Sequence, residues 1–180
     1  MVEAMTSTSL RVHRAIVTAA VVAAILATCP RSSGVAAAEQ VDEYRVKAAM
    51  LVTFSKFVAW NHTPPIAICT VGADRALESM LLAHASPTLL ISTHANAHDD
   101  MAHCDVLFIG DSVGRDTSYV LASLMNTPVL TIGESDPFLN EGGIVRLFLE
   151  ANHIRFDINR RASEAHGLKI SSQLLSLAAK

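Results

Sequence analysis

A dense run of side chains that can bind metals lies in the middle of the chain. It contains three histidines, three aspartates and a cysteine: His94, His98, Asp99, Asp100, His103, Cys104 and Asp105. Imidazole and thiolate groups are common protein ligands of zinc and copper, and histidines four positions apart would share one face of a helix. The same composition is also typical of a polar loop between two strands. We expect the loop and assign no metal site and no cofactor, with a metal-binding or small-ligand-binding protein as an alternative function.

A serine follows an apolar run in the block Phe108–Val113, which reads Phe-Ile-Gly-Asp-Ser-Val. The block resembles the nucleophile block of the GDSL esterases, and a serine between a strand and a helix can use helix-terminal amides to stabilise an oxyanion. That family places an Asp-x-x-His pair near the C-terminus, whereas here the only such pair, residues 100–103, precedes Ser112. We therefore expect Asp111 or Ser112 to cap a helix and predict no enzyme, with ester hydrolysis by Ser112 as the alternative.

The first 38 residues are predicted to be a signal peptide. A positively charged stretch at residues 11–14 precedes the uncharged apolar run Ala15–Cys29, and Pro30–Gly34 then interrupts any helix. Ala36–Ala38 supplies small residues at the cleavage positions. The apolar run is shorter than the roughly 20 residues that a membrane span needs, which favours a cleaved signal peptide. An uncleaved membrane anchor is the alternative. We expect a periplasmic protein in which residues 39–180 form a single domain.

Residues 39–180 are acidic. The chain has 14 Lys+Arg and 17 Asp+Glu, and residues 1–38 hold Arg11, Arg14, Arg31 and Glu3, which leaves 11 basic and 16 acidic side chains and a net charge of −5. A nucleic-acid binder with a broad basic surface is excluded, because phosphate binding needs clustered Lys and Arg. The 51% apolar content excludes a disordered tail protein.

Two cysteines remain after the predicted cleavage, Cys69 and Cys104. In an oxidising compartment an even number of cysteines makes a disulfide a candidate. Two buried free thiols are the alternative.

Helices and strands alternate along the first part of the domain. Apolar residues at helical spacing predict a helix over Val41–Val58, which the tandem prolines Pro64 and Pro65 keep from continuing. Asp74 is predicted to cap a helix that reaches about His84. The further predicted elements are a helix over Thr117–Met125 and strands over Ile66–Val71, Thr88–Ser92, Asp105–Ile109 and Pro128–Ile132. The second and third of these strands are continuously apolar, which is typical of strands that are covered on both faces.

The last third of the chain predicts an antiparallel hairpin. Ile144–Leu149 and Ile154–Ile158 flank the turn formers at Asn152 and His153. A helical turn over Ala162–His166 and a last helix capped by Ser171 or Ser172 follow. The fold class is therefore α/β, a single three-layer sandwich domain with a mostly parallel sheet, a C-terminal antiparallel hairpin and a terminal helix.

Several separate stretches together resemble the YfiR family of periplasmic proteins. They are Val46–Leu51 continuing into Phe54–Trp60, Ile68–Gly72, Cys104–Ile109, Val129–Gly133, Phe138–Val145, Ile154–Asn159 and Gly167–Leu175. Their order and spacing match over nearly the whole mature chain.

The resemblance implies a regulator. Members of this family resemble homodimeric periplasmic repressors that bind the periplasmic sensor domain of a membrane GGDEF-type diguanylate cyclase, so that cyclic di-GMP signalling and biofilm formation fall. The disulfide that the family shares falls on Cys69 and Cys104. This chain departs from the family in lacking a second cysteine pair within Ile144–Asn159 and in having Asp105 where histidine often follows the second cysteine. These departures put a redox-sensing role in doubt.

A partner-binding surface should combine exposed apolar groups with charges that set the register. The candidates are Arg155, Asp157, Asn159, Arg160, Gly167, Leu168 and Leu174. Arg155 and Asp157 are predicted to share the solvated face of the hairpin. For Leu168 and Leu174, packing in the core is the favoured alternative, and for Asn159 and Gly167 the alternatives are a strand end and a helix C-cap.

Overall fold

A six-stranded β-sheet organises the residues that the computed structural model describes, 33–179, with side chains from Asp42 onward. The strands are β1 (Val58–Ala59), β2 (Ile66–Val71), β3 (Leu89–His94), β4 (Val106–Ile109), β5 (Leu130–Gly133), β6 (Val145–Glu150), β7 (His153–Ile158) and β8 (Lys169–Ile170). The large sheet has the order β3-β2-β4-β5-β6-β7, and β1 and β8 form a separate antiparallel pair. All neighbours from β3 to β6 are parallel, and only β6 and β7 are antiparallel.

Helices cover both faces of the sheet. They are α1 (Ser33–Ser55), α2 (Arg75–Leu82), α3 (Thr117–Ser123), α4 (Arg160–Ala165) and α5 (Ser172–Leu177), with a 3₁₀ helix over Asp111–Asp116. On one face the sheet packs against buried residues of α1, α2 and α5, including Leu51, Leu81 and Leu174. On the other face it packs against α3 and the loop that carries Phe138. The predicted three-layer α/β sandwich is confirmed.

Side chains at the helix ends explain where the helices begin and stop. The carboxylate of Asp74 accepts a hydrogen bond from the Ala76 amide at 2.8 Å, which caps α2 as predicted. Ser171 caps α5 in the same way, by accepting from the Leu174 amide at 3.2 Å. Helix α1 ends earlier than the predicted Val58, because the Trp60 indole donates to the carbonyl of Ser55 at 2.7 Å and the chain then turns into β1.

The N-terminal prediction falls largely outside the described residues. Residues 1–32 are not among them, so the signal peptide stays a prediction. Helix α1 starts at Ser33 rather than at the predicted Val41, so residues 33–38, which include the predicted cleavage positions, are helical. None of the described helices is both long and apolar enough to cross a membrane.

Strand β3 departs from its predicted environment. It lies at the edge of the sheet and pairs along its length only with β2, and its side chains are half-buried or exposed, with Leu90 52% exposed. The expectation of cover on both faces is therefore wrong for β3. It is correct for β4, whose four residues are all buried, because β4 lies between β2 and β5.

Candidate functional site

A cleft of about 520 Å³ lies at the carboxyl ends of the central parallel strands. The connection that follows β2 leads to β3 on one side, whereas the connection that follows β4 leads to β5 on the other side. Ligands of open α/β sheets bind at such a reversal of strand order, outside the carboxyl ends of the strands. The lining comes from Tyr44 and Lys47 of α1 and from residues 72–75, 110–112 and 134 at the strand ends.

Two glycines allow the loops after β2 and β4 to approach each other closely. Gly72 has a φ of +63°, in the left-handed region where glycine has no Cβ penalty. A Cβ on Gly110 would overlap the backbone carbonyl of Gly72, so only glycine fits there. The Ser112 hydroxyl donates to the same Gly72 carbonyl at 2.7 Å and ties the two loops together.

The serine-hydrolase alternative finds no histidine beside Ser112 among the described residues that line the cleft. The hydroxyl of Ser112 is held by a backbone carbonyl, and no histidine is among the residues that line the cleft. His153 and His166, which follow Ser112 in the sequence, contact the carbonyls of Ala151 and Thr127. In this geometry the Gly-Asp-Ser block serves the loop structure, because the Ser112 hydroxyl donates to the Gly72 carbonyl rather than to a histidine base.

A buried lysine supplies positive charge to the cleft. The Lys47 ammonium group forms ion pairs with Glu43, one helical turn earlier, and with Glu134, which follows β5. Burial by itself would lower the pKa of Lys47, but hydrogen bonds and charge from Glu134 and Glu43 outweigh that effect, and its pKa is raised. Burial raises the pKa of Glu134, against the opposing hydrogen bond and charge of Lys47. The sequence analysis missed this cluster because Glu134 is far from Lys47 in sequence and only the fold joins them.

Cys69 and Cys104 form a disulfide, with their Cα atoms 5.9 Å apart. Cys69 lies in the middle of β2 and Cys104 lies just before β4, so the bond joins neighbouring parallel strands. Both residues are buried in the core layer that contains α3. The sulfur atoms have two histidines, His94 and His103, beside them.

The histidine-rich segment between β3 and β4 is a loop, in agreement with the prediction of a polar loop between two strands. The idea that its histidines share a helix face is wrong, because residues 95–104 form turns and bends. The fold brings His94, His103 and Cys104 together and adds Cys69, whereas the ring of His98 packs on Tyr119 at 4.4 Å between centroids. No spacing rule could have found Cys69, since it comes from another strand.

Asp105, where the family often has histidine, binds a histidine from elsewhere in the chain. One oxygen of its carboxylate lies 2.7 Å from Nε2 of His62, and the other accepts from the Ala67 amide of β2 at 2.7 Å. Nδ1 of His62 faces the Thr63 carbonyl at 2.9 Å. Only the imidazolium form can donate from both nitrogens. The Thr63 carbonyl and the Asp105 carboxylate therefore raise the pKa of His62.

Three of the seven partner-binding candidates are exposed: Arg155, Arg160 and Gly167. Arg155 stands on β7 opposite Phe148 and lies 3.6 Å from the Glu150 carboxylate. Asn159 is half-buried and holds α4, since its side chain accepts from the Ala162 amide at 3.0 Å.

The other three candidates are buried. Leu168 and Leu174 are 5% and 2% exposed and belong to the core on the α1 face. Asp157 is 6% exposed, so it does not share a solvated face with Arg155. It pairs across the hairpin with Arg146, whose guanidinium also binds Asp136 at 2.8 Å. The register of the hairpin places Arg146 opposite Asp157. The register could therefore have predicted that Asp157 forms an ion pair with Arg146.

The fold and the cleft define a three-layer α/β protein with a site at the reversal of strand order, and no histidine is among the described residues that line this site. The chain belongs to the YfiR/HmsC-like family, whose sequence model matches residues 44–179.

Two solved structures are similar in fold. One is a conserved domain protein from Vibrio cholerae O1 biovar El Tor strain N16961, with a TM-score of 0.57 and 13% identity. The other is the ABC domain in complex with L-Trp from Streptococcus pneumonia, with a TM-score of 0.55 and 9% identity. In both comparisons the alignment covers 76% of this chain and 59% of the other chain. At these identities the likeness concerns the fold alone.

Proposed function

We propose that this chain is a periplasmic regulatory protein that binds the periplasmic sensor domain of a membrane GGDEF-type diguanylate cyclase and represses it. The observation that carries the proposal is the match to the YfiR/HmsC-like family over residues 44–179. The cleft supports it, because the Ser112 hydroxyl donates to a backbone carbonyl and none of the described residues that line the cleft is a histidine. Lower cyclase activity would lower cyclic di-GMP and biofilm formation.

The proposed contact surface is the far end of the β6–β7 hairpin. The exposed Arg155 and the half-buried Phe148 are cross-strand partners and share one face of the hairpin, whereas Leu149, which is 57% exposed, lies on the other face. An apolar group next to a charged group suits a protein partner, because the apolar area is removed from water while the charge sets orientation. Arg160 and Gly167 are exposed candidates at the start and just past the end of α4. We further propose that the exported protein is a homodimer without a cofactor.

Deletion of the gene is the experiment that tests the function. Cyclic di-GMP and surface attachment should both rise, and the wild-type gene should restore them to the parental level. Complementation with Ser112→Ala should restore them equally well, because the proposed repression needs no nucleophile. An unchanged cyclic di-GMP level in the deletion strain would contradict the proposed function.

A charge reversal tests the contact surface. Arg155→Glu should fail to restore repression although the protein is exported and folded, because the reversed charge repels the partner site that Arg155 would orient. Arg115→Glu, a charge reversal at another exposed position, in the 3₁₀ helix, is the matched control and should restore it. If the two variants complement equally, the hairpin is not the surface.

A further inference from the structure

Two histidines lie against the disulfide. The Nε2 atom of His94 is 3.9 Å from Sγ of Cys104, and the Nε2 atom of His103 is 3.8 Å from the same sulfur. One ligand atom from each of these residues and from Cys69 can be chosen so that all four atoms lie within 4.8 Å of one another. Such a convergence of two sulfurs and two imidazoles is a set of metal ligands rather than a general polar surface.

The sheet itself delivers two of the four residues. Strands β2 and β3 are parallel, and Cys69 pairs with Ser92 while Val71 pairs with His94. Cys69 and His94 therefore point to the same face of the sheet, since alternate residues of a strand share a face. Cys104 and His103 come from the end of the loop that precedes β4, and the disulfide holds Cys104 beside β2.

We propose that reduction of this disulfide creates a zinc site formed by Cys69, His94, His103 and Cys104. In the oxidised protein the sulfurs are bonded to each other, and neither is a thiolate. Reduction yields a Cys₂His₂ set, which is a ligand set of structural zinc sites. The site does not depend on the proposed cyclase partner and stands even if the protein regulates something else.

The surroundings of His94 support its role as a ligand. Its Nδ1 atom lies 3.7 Å from the carboxylate of Asp99, while Nε2 faces the sulfur. Zinc-bound histidines usually direct their second nitrogen to a carboxylate or carbonyl, which fixes the ring and makes the ligating nitrogen more basic. Asp99 is placed to become an outer partner of the metal site when the 3.7 Å separation closes to hydrogen-bond distance.

The burial of the ligands and the irregular structure of their loop also fit a cation that comes from solvent. Both cysteines are buried, His94 is partly buried and His103 is exposed, so His103 marks the side from which a cation reaches the sulfurs. Tetrahedral zinc with Zn–S of about 2.3 Å and Zn–N of about 2.0–2.1 Å places its ligand atoms roughly 3.3–3.8 Å apart. The widest separation, 4.8 Å, must therefore shrink by about 1 Å, and the two sulfurs must move apart to about 3.8 Å once the disulfide is reduced. The loop of residues 95–104, which has no regular secondary structure, can supply this shift.

The chemistry balances in two steps. A dithiol reductant gives two electrons and two protons to the Cys69–Cys104 bond, which yields two thiols on the protein and a disulfide in the reductant. Zinc then binds both sulfurs and displaces two protons to solvent. The disulfide and the zinc site exclude each other, so zinc favours the reduced form and oxidation releases the metal.

The test measures zinc affinity of the purified protein in both redox states. The protein is reduced with a phosphine, which with water becomes the phosphine oxide, and is then titrated with zinc against a chromophoric chelator without oxygen. We expect about one zinc ion per reduced chain, and binding on the order of 100-fold weaker for the oxidised protein. Cobalt in place of zinc should give the thiolate-to-metal absorption band and the intense visible bands of a tetrahedral site. Equal zinc affinity in the two redox states would overturn the proposal.

Single substitutions that leave the disulfide intact separate metal ligation from folding. His103→Ala removes an exposed ligand and should weaken zinc binding by the reduced protein more than Asp99→Asn, for which roughly a tenfold loss is expected. His98→Ala is the matched control in the same loop, since its ring packs on Tyr119 away from the sulfurs, and it should leave the affinity unchanged. A loss with His98→Ala as large as the loss with His103→Ala would also overturn the site.

Zinc should also protect both cysteines of the reduced protein from alkylation. The protection should disappear in the His94→Ala/His103→Ala double variant, whose oxidised form should keep its far-ultraviolet circular dichroism. Rapid alkylation of the wild-type cysteines at saturating zinc would contradict ligation by sulfur.

Discussion

Lys47 is the residue on which the charge balance of the cleft depends. Its ammonium group lies between the carboxylates of Glu43 and Glu134, and its side chain is only 10% exposed. Because its pKa is raised, it is protonated throughout the neutral range, and its contribution to stability is lost only as the pH rises above the usual lysine value of about 10.4. Between pH 5 and 8, therefore, replacement of Lys47 should act through the ionisation of Glu134.

Replacement of Lys47 by methionine should make the stability depend on pH. Without the ammonium group, burial would raise the pKa of Glu134 further, and ionisation of Glu134 would then destabilise the folded state. We expect the free energy of unfolding at pH 7 to fall by about 1–3 kcal/mol. The loss should shrink as the pH falls toward the usual glutamate value of about 4.3, where Glu134 is protonated in both states.

Denaturant unfolding of wild type and variant between pH 5 and pH 8 checks this expectation. Lys56→Met, at an exposed position just after α1, is the control and should change the free energy of unfolding by less than about 0.5 kcal/mol. A loss for Lys47→Met that is the same at both pH values would show that lost packing, not charge, explains the effect.

Single residues were predictable where their chemistry is local. The sequence predicts Asp74 as one helix cap and Ser171 or Ser172 as another, because a cap bonds to amides only two or three positions away, and the structure has Asp74 and Ser171. Asp157 was predicted to be solvated because alternation alone cannot show that Arg146 covers it from the neighbouring strand. The sequence Gly-Asp-Ser is compatible with a loop whether or not a catalytic base lies nearby. Only the folded structure shows which side chains surround Ser112.

The β6–β7 hairpin is the element whose turn carries the clearest backbone strain. Ala151 and Asn152 both have positive φ, at +47° and +65°. Two such residues form the type I′ turn whose twist matches that of the paired strands. Asparagine tolerates this region, whereas an alanine there places its Cβ too close to the backbone.

Ala151→Gly should therefore stabilise the protein. Release of the left-handed strain gains about 1–2 kcal/mol, and the greater freedom of glycine in the unfolded chain costs about 0.5–1 kcal/mol, so a net gain of about 0.5–1 kcal/mol is expected. The free energy of unfolding from urea titration measures it. Ala122→Gly, at an exposed position in the last turn of α3, should do the opposite and lose about 0.5–1 kcal/mol. A loss for both substitutions would mean that the turn is not strained.

The elements themselves were predictable to different degrees. Strand β2 has the predicted bounds, and the hairpin strands are shifted by about one residue, because apolar runs and turn formers are local signals. The pairing of β1 with β8 was not predicted, since each is only two residues long and the pair joins distant parts of the chain. The exposure of β3 depends on the strand order, which no window of the sequence contains.

At the scale of the whole molecule, the disulfide holds the first half of the sheet together. The cysteines are 35 positions apart, and the closed loop contains α2 and β3. Restriction of the unfolded chain over this distance should stabilise the fold by about 3–4 kcal/mol. Because domains of this size are stable by only about 5–15 kcal/mol, the reduced protein should remain folded with a smaller margin.

Urea unfolding with and without a phosphine reductant measures this contribution. The chelator EDTA is present, so that metal binding to the reduced cysteines does not offset the loss. The wild type should lose about 3–4 kcal/mol on reduction, whereas a Cys69→Ala/Cys104→Ala variant should not respond to the reductant. An unchanged midpoint for the wild type would contradict a stabilising bond.

The class of the fold and the family were accessible from the sequence, and the sites were not. Alternating helices and strands with a late hairpin define a three-layer sandwich, and the spaced blocks define the YfiR/HmsC-like family over residues 44–179. The cleft and the sulfur–histidine cluster each combine residues from three or more segments. Their composition follows from strand order and register, which are properties of the complete chain.

In covalent terms the protein is a ring with two tails. The ring runs from Cys69 to Cys104 and closes through their sulfur atoms, while the sheet strands from β4 to β7 lie in one tail and α1 lies in the other. A protease that cuts the exposed loop around residues 95–100 opens the ring but separates nothing, and the two pieces stay one molecule until the disulfide is reduced. A cut in either tail releases a fragment at once, unless the packing of the sheet retains it. The connectivity thus keeps the molecule in one piece when this exposed loop is cut.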